Sequence, residues 1–282
     1  MGRGTGSTVS FLESIFYGLV SGLTEFLPVS SLGHQSLMMR LFGLADREPA
    51  RDVFVHIGIL VALITACRSM FNYAMTKQRV ATNTRRGRRV EYRDSYDLRL
   101  VKAAVLPMVL GFIIYFSARS VEKHMLLLSL MFIINGIIVM VPEYTRRGNK
   151  DGRFMSGWDS IALGLFGALS AFPGISRSAS MSFYTSMRGV DRGHGLNWFF
   201  LLSVPALLLL ILIDIINLFV LPLGSVTFLG FIGYLVSAIA AFVGGHLGVS
   251  LMRYLSVHKG YVGFAYYSWG AAMFSFVLYL IV

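Results

Sequence analysis

Two short stretches hold the residues best suited to chemistry. The first reads Gly22-Leu23-Thr24-Glu25-Phe26-Leu27-Pro28-Val29-Ser30-Ser31-Leu32-Gly33-His34, and the second Pro173-Gly174-Ile175-Ser176-Arg177-Ser178-Ala179-Ser180. Both interrupt apolar sequence, where an ionisable side chain is expensive and marks a site or a pathway, so Glu25, His34 and Arg177 are functional candidates. Arg177 offers a planar fork of donors suited to phosphate, and helix N-termini in the same place favour an anion beside it. Ser31 can supply a nucleophilic oxygen, with Glu25 or His34 taking and returning its proton. The structural alternative is a Glu-Arg pair that pins one stretch to the other.

These residues must be positioned by helices in a bilayer. Of 282 residues, 55% are hydrophobic and only 14% are charged, a balance that excludes a water-soluble domain. The net charge of +11 does not indicate nucleic acid, because the basic residues cluster in short loops between apolar segments. Cys67 is the only cysteine, which excludes an intrachain disulfide and a thiol-based metal or redox site. Arg3 precedes a polar run without a small-residue cleavage pattern, so no cleaved signal is expected.

Six stretches are expected to span the membrane: Val53 to Ala66, Leu100 to Ser117, Met125 to Val141, Trp198 to Leu221, Phe228 to Leu251 and Val262 to Val282. Two more, Val9 to Leu44 and Ile161 to Met187, are broken near their middles by Pro, Gly and Ser and read as re-entrant helix-loop-helix hairpins. The basic loop of residues 68–99 is placed in the cytoplasm by Lys77, Arg79, Arg85, Arg86, Arg88, Arg89 and Arg93. Counting spans then puts Arg119 to His124 outside, and Arg146, Arg147, Lys150, Arg153, Arg253, His258 and Lys259 inside. The fold class is therefore all-α integral membrane, one domain over residues 1–282. Repeat 1 (about 9–142) and repeat 2 (about 160–282) each hold a hairpin and three spans, in inverted topology. Pro-x-x-Ser at both breaks, Pro28 to Ser31 and Pro173 to Ser176, supports the repeat.

The motif at Gly22 to His34, together with Pro-Gly-x-Ser-Arg-Ser at Pro173 to Ser178, resembles the paired signatures of undecaprenyl-diphosphatases of the bacitracin-resistance type. The likeness continues through Val53 to Ala62 and Trp198 to Pro205 and covers most of the chain. It implies a bacterial inner-membrane enzyme that hydrolyses undecaprenyl diphosphate to the monophosphate and phosphate, recycling the carrier of peptidoglycan synthesis, with Mg2+ or Ca2+. Carried over, Ser31 is the attacking serine, Glu25 a catalytic or metal-associated carboxylate, His34 a proton-transfer partner and Arg177 the phosphate clamp. Ser30, Ser176 and Ser178 line the cradle. The implied partners are a polyprenyl diphosphate and membrane lipids, with no nucleic acid; a homodimer stays open, and the site is expected to open to the outer face.

The chain departs from that pattern in two places. Ser21 stands where the family usually has a glutamate, and Ala179 where it usually has glycine, which bears on metal dependence, rate and the shape of the second loop. A lipid-phosphate transporter or flippase of the same fold is the competing reading. His56, Asn135 and His246 read as hydrogen-bonded packing residues, while Asp214 either pairs with a basic group, reaches the outer interface or is functional. Trp198, Tyr266, Tyr267 and Trp269 are expected at the membrane interface.

Overall fold

The computed structural model describes residues 11–43, 47–84, 87–113, 121–220, 228–258 and 260–281. The expected limits at Val9, Leu44, Ser117, Leu221 and Val282 lie outside them, as do Arg3, Arg85, Arg86, Arg119 and Lys259. Both interrupted stretches form helix pairs. Helix α1 (Phe11–Phe26) and α2 (Ser31–Leu41) flank the break at Pro28. Four further helices carry the first half on: α3 (Pro49–Ala66), α4 (Arg68–Met75), α5 (Tyr96–Gly111) and α6 (Met125–Tyr144), and α7 (Gly157–Ala168) opens the second. After the break at Pro173 come α8 (Arg177–Met187), α9 (Arg192–Val220), α10 (Phe228–His258) and α11 (Val262–Ile281).

Among the described residues, α3, α6, α9, α10 and α11 are long and apolar enough to cross a membrane. The chain is a multi-pass, all-α integral membrane protein. The expected span from Leu100 corresponds to α5, a 16-residue helix that ends at Gly111 with Phe112 as its C-cap. At about 1.5 Å per residue, the 31-residue α10 is about 46 Å long, well beyond a hydrocarbon core of about 30 Å, so it tilts or runs on into the headgroup layer. The basic loop is more ordered than its sequence suggests. Besides α4 it holds an antiparallel ribbon, β1 (Gln78–Thr84) and β2 (Gly87–Arg93), in register from Gln78 opposite Arg93 to Thr84 opposite Gly87. Val80, Thr82, Val90 and Tyr92 favour a strand, but the run of arginines hides that preference.

In lipid, apolar burial gives helices no reason to associate, so close packing and interhelical hydrogen bonds must do so. On the peripheral helices the small residues accordingly face inward and the large apolar side chains outward, while Phe26, Phe132, Phe199 and Phe200 fill the centre. On α11 the buried stripe is Ala265, Ser268, Ala272 and Ser275, against exposed Met273, Phe274 and Phe276. Ser129 of α6 donates to the Ala272 carbonyl, and Ser275 donates back to the Met125 carbonyl, each at 2.8 Å. Helix α1 meets α10 through glycines on both sides: a Cβ at Gly22 would lie 2.2 Å from the Ala241 carbonyl oxygen, and one at Gly244 only 2.3 Å from that of Leu19. Helix α7 packs on α5, α3 on both α9 and α10, and α6 on α11. Each first hairpin helix thus packs against a helix of the opposite half, α1 on α10 and α7 on α5.

The base of the second hairpin is tied by a buried carboxylate. Ser156 and Asp159 form a capping box at the start of α7, and Asp159 also accepts from Tyr184 and Arg188 at the end of α8. Burial alone would raise the Asp159 carboxyl, but the bonds from the Ser156 N–H, Tyr184 and Arg188 outweigh it and hold it below the usual carboxylate range. A depressed folded-state value contributes stability above the unfolded value of about 3.9 and loses it as pH falls.

Two outcomes follow in thermal unfolding of detergent-purified protein. Gly244→Val lowers the midpoint by about 5 °C or more, whereas Gly157→Ala, where a Cβ meets nothing, leaves it unchanged. Asp159→Asn lowers the midpoint at pH 7, and its difference from the unmodified protein narrows as pH is taken below about 4. A difference that persisted undiminished in acid would contradict the assignment of Asp159.

Candidate functional site

The two breaks meet tip to tip inside the helical shell. Non-helical backbone at that depth needs every polar group satisfied, and each break satisfies the other. Ser30 caps α2, accepting from Gly33 N–H at 3.2 Å, and also accepts from Gly174 N–H of the opposite break at 2.9 Å. Ser176 caps α8 and donates to the Leu27 carbonyl at 3.1 Å. Between them stands Asn135 of α6. Its amide donates to the Pro28 carbonyl at 2.9 Å and to Ser268 Oγ at 3.0 Å, and its oxygen accepts from Ser176 N–H at 2.8 Å.

This closeness demands glycine at two points. Gly174 has φ +99°, and a Cβ there would lie 2.5 Å from that of Met131. Gly33 faces it, with room for no side chain between it and the Gly174 backbone. Ser30 holds φ +69°, the sole positive φ outside glycine among the described residues, kept there by its two hydrogen bonds across the junction.

Beside this junction lies a narrow crevice with about 320 Å³ of space, its mouth included. Glu25, Ser31, Ser170, Ser176 and Arg177 form its polar wall; Leu32, Phe112, Ile175 and Leu210 form the apolar one. Ser31 and Arg177 are the first residues of α2 and α8, so two helix N-termini converge on one small volume. Arg177 Nη1 lies 3.1 Å from Glu25 Oε1, and both side chains are buried. The contact is an ion pair without hydrogen-bond alignment: Nε and Nη1 have no hydrogen-bond partner. Ser31 Oγ donates to the Ser21 carbonyl at 3.3 Å, which leaves its oxygen lone pairs uncommitted.

The other expected site residues lie further back. The Ser176 proton goes to Leu27, so Ser178, at 3.0 Å, is the donor between the two hydroxyls. Ser178 is wholly buried behind the wall. His34 is not on the crevice wall. Its Nδ1 bonds the Ser30 carbonyl at 2.7 Å and therefore carries the proton, while Nε2 takes a hydrogen bond from Tyr267 at 2.8 Å. Ser21 is buried, and its hydroxyl accepts from Gln35 at 3.2 Å. Ala179 lies in the first turn of α8, where its N–H reaches the Ser176 cap.

Residues 14–274 match the family described as Bacitracin resistance protein BacA. The chain belongs to this family. Among relatives of this chain is "Undecaprenyl-diphosphatase 3" of Bacillus cereus, 27% identical over 271 residues, covering 96% of this chain and 98% of the relative. "Undecaprenyl-diphosphatase" of Carboxydothermus hydrogenoformans is 30% identical over 260 residues, covering 91% and 93%. That of Thermosipho melanesiensis is 28% identical over 269 residues, covering 94% and 98%.

Sequence patterns could not have placed Ser170, which lies within a 3-10 turn and donates its hydroxyl to the Gly167 carbonyl, on the wall of the crevice. Tyr267 was expected at the membrane interface and instead spends its hydroxyl on His34, although half of its side chain stays exposed. Trp198 is a correction. It is 1% exposed and donates to Asp97 at 3.0 Å, because α9 begins before it, at Arg192, and carries it into the bundle. Asn135 is a packing residue, and what it packs is the site itself.

Replacing Asn135 with Ala leaves the Ser176 N–H and the Pro28 carbonyl without partners. The unfolding midpoint is expected to fall by about 5–10 °C, with no recovery in Asn135→Asp, which keeps the acceptor but loses both donors. Equal midpoints for all three proteins would show that the junction does not depend on this amide.

Proposed function

We propose that this chain hydrolyses undecaprenyl diphosphate to undecaprenyl phosphate and phosphate. The carrying observation is that Ser31 and Arg177, each the first residue of an inward helix, open onto one crevice together with Glu25. Two helix N-termini and a guanidinium with uncommitted donors suit a doubly phosphorylated head, and Leu32, Phe112, Ile175 and Leu210 suit the first prenyl carbons. Family membership and the names of the relatives support the same substrate.

In this scheme the diphosphate draws Arg177 from Glu25 to itself. Ser31 Oγ attacks the terminal phosphorus and gives its proton to the freed Glu25 carboxylate; the bridging P–O bond breaks, and lipid monophosphate leaves. Glu25 then releases that proton to water, and in the second step it takes a proton from the attacking water and returns it to Ser31 Oγ as the Oγ–P bond breaks and phosphate leaves. Ser176 and Ser178 hold the cradle by fixing the cap of α8, and Ser30 holds it by fixing the cap of α2. His34 acts through the Ser30 carbonyl. Among the described residues no group of three His, Cys, Asp or Glu is placed to hold a metal. Mg2+ or Ca2+ is therefore assigned to Glu25 together with the substrate's own phosphate oxygens, a donor set that suits a hard cation, which when bound offsets phosphate charge.

The membrane is the bacterial inner membrane. The basic ribbon after α3 and the basic loop after α6 lie on the cytoplasmic side, which puts the N-terminal end of α3 at the outer face and opens the crevice outward. The exchange of packing partners between halves supports an inverted repeat.

A lipid-phosphate transporter is the second reading, favoured by Ser21, which places a hydroxyl one turn from Glu25 where the family motif has a carboxylate. Phosphate release from undecaprenyl diphosphate by the purified chain separates the two. Ser31→Ala and Arg177→Lys are expected to lower it at least 100-fold. Retained lipid binding with no release under any divalent cation overturns the hydrolase. Ser21→Glu is expected to raise turnover or metal sensitivity.

A further inference from the structure

The crevice lies at the C-terminal end of α5, where Phe112 joins its wall, and a second concavity lies at the other end of the same helix. There the end of α4, the base of the ribbon and the first turn of α5 enclose a wide hollow with about 800 Å³ of space, its mouth included. Lys77, Tyr92, Arg93, Asp94 and Arg99 line it. Three of the five are cations, and the one carboxylate is committed, because Lys102 donates to Asp94 at 2.6 Å. That bond, with the charges of Lys102, Lys77 and Arg99 behind it, holds the Asp94 carboxyl below the usual carboxylate range, in accord with the sign of the lining.

The position is that of a headgroup layer. The hollow lies where α3 gives way to α4 and the ribbon returns the chain to α5, at the edge of the apolar layer. Tyr73, Met75, Tyr92 and Tyr96 stand exposed around it, as aromatic and apolar side chains do at a membrane interface. Arg99, Lys102, Leu106 and Leu110 recur at three- and four-residue spacing and are all exposed, so one face of α5 runs from basic to apolar. From Arg99 to Leu110 is about 16 Å, close to one leaflet's half of a hydrocarbon core of about 30 Å. A free phosphate or an acidic peptide would use the cations and leave the apolar stripe idle. A lipid with a negative head uses both.

We propose that this hollow binds the phosphate head of an anionic glycerophospholipid from the leaflet on the ribbon's side, with an acyl chain laid along Leu106 and Leu110. Arg93 and Arg99 offer planar forks of donors to the phosphate oxygens, and Lys77 adds a point charge. Arg99 lies about 20 Å along α5 from Phe112, so the occupant is a resident lipid and not the molecule held in the crevice. Hydrolysis plays no part in it, which keeps its test separate from the phosphatase assay.

The test is native mass spectrometry of the full chain in an uncharged detergent, titrated with dioleoyl phosphatidylglycerol or dioleoyl phosphatidylcholine. The first phosphatidylglycerol is expected to bind about 10-fold tighter than the first phosphatidylcholine, or more. Arg93→Gln and Arg99→Gln each weaken phosphatidylglycerol about fivefold and leave phosphatidylcholine unchanged, whereas Arg147→Gln, at an exposed arginine after α6, changes neither. Water-soluble dihexanoyl phosphatidylglycerol, too short to follow the stripe, binds about 10-fold weaker than the dioleoyl lipid, or less. Equal affinity for the two long-chain lipids, or hollow variants no weaker than Arg147→Gln, overturns the proposal. Inorganic phosphate or hexaglutamate binding as tightly as the dioleoyl lipid also overturns it, since the hollow would then serve a free anion or an acidic protein segment. Should a hollow variant fail to unfold cooperatively, salt reads the same charge in the unmodified protein. Raising ammonium acetate from about 0.05 to about 0.5 M is expected to narrow the preference for phosphatidylglycerol about threefold or more, and an unchanged preference overturns the site.

Discussion

Everything in this molecule depends on closing two breaks in helices at a depth where water cannot satisfy the backbone. The solution is mutual. Ser30 accepts the Gly174 N–H, Ser176 donates to the Leu27 carbonyl, and Asn135 bridges the Pro28 carbonyl and the Ser176 N–H. Neither hairpin is a complete structure without the other. The same bonds that make the breaks tolerable also start α2 and α8 side by side, so the anion-attracting ends of two helices arise as a by-product of satisfying the backbone. Positive φ at Ser30 and the contact of Gly33 with Gly174 are the local costs of that closure.

Charge then follows from geometry. Two helix N-termini and the Arg177 guanidinium in an enclosed space create a positive potential, which the Glu25 carboxylate offsets. The pair therefore has both of the roles that sequence reasoning set against each other. It ties α1 to α8, and it does so through a contact too poorly aligned to hold Arg177 against a better ligand. A phosphate with several oxygens is such a ligand. In the proposed reaction, binding separates the pair and frees the Glu25 carboxylate to act as the base.

The sequence disclosed what depends on local pattern. Hydropathy gave the long helices, and Pro, Gly and Ser gave the breaks; the two motifs gave Glu25, Ser31 and Arg177, which do share a wall. It could not disclose what depends on juxtaposition. Tyr267 meets His34 across 233 residues and Asp214 meets His56 across 158, distances over which no spacing rule operates. Trp198 was misplaced because aromatic residues near a helix end look alike whether they face lipid or the bundle. The ribbon at Gln78 to Arg93 was missed because its charge, which reports on sidedness, masks its strand propensity.

Ser21 shows why a motif departure cannot be judged from the motif. On paper it is a missing carboxylate. In the structure its hydroxyl accepts from Gln35 and its carbonyl from Ser31, while Gln35 Oε1 stays buried without a partner. A glutamate there would add a third charge beside one Glu-Arg pair and would need a cation or a proton to be tolerated. The serine removes that need and leaves Glu25 as the only ionisable acceptor on the wall.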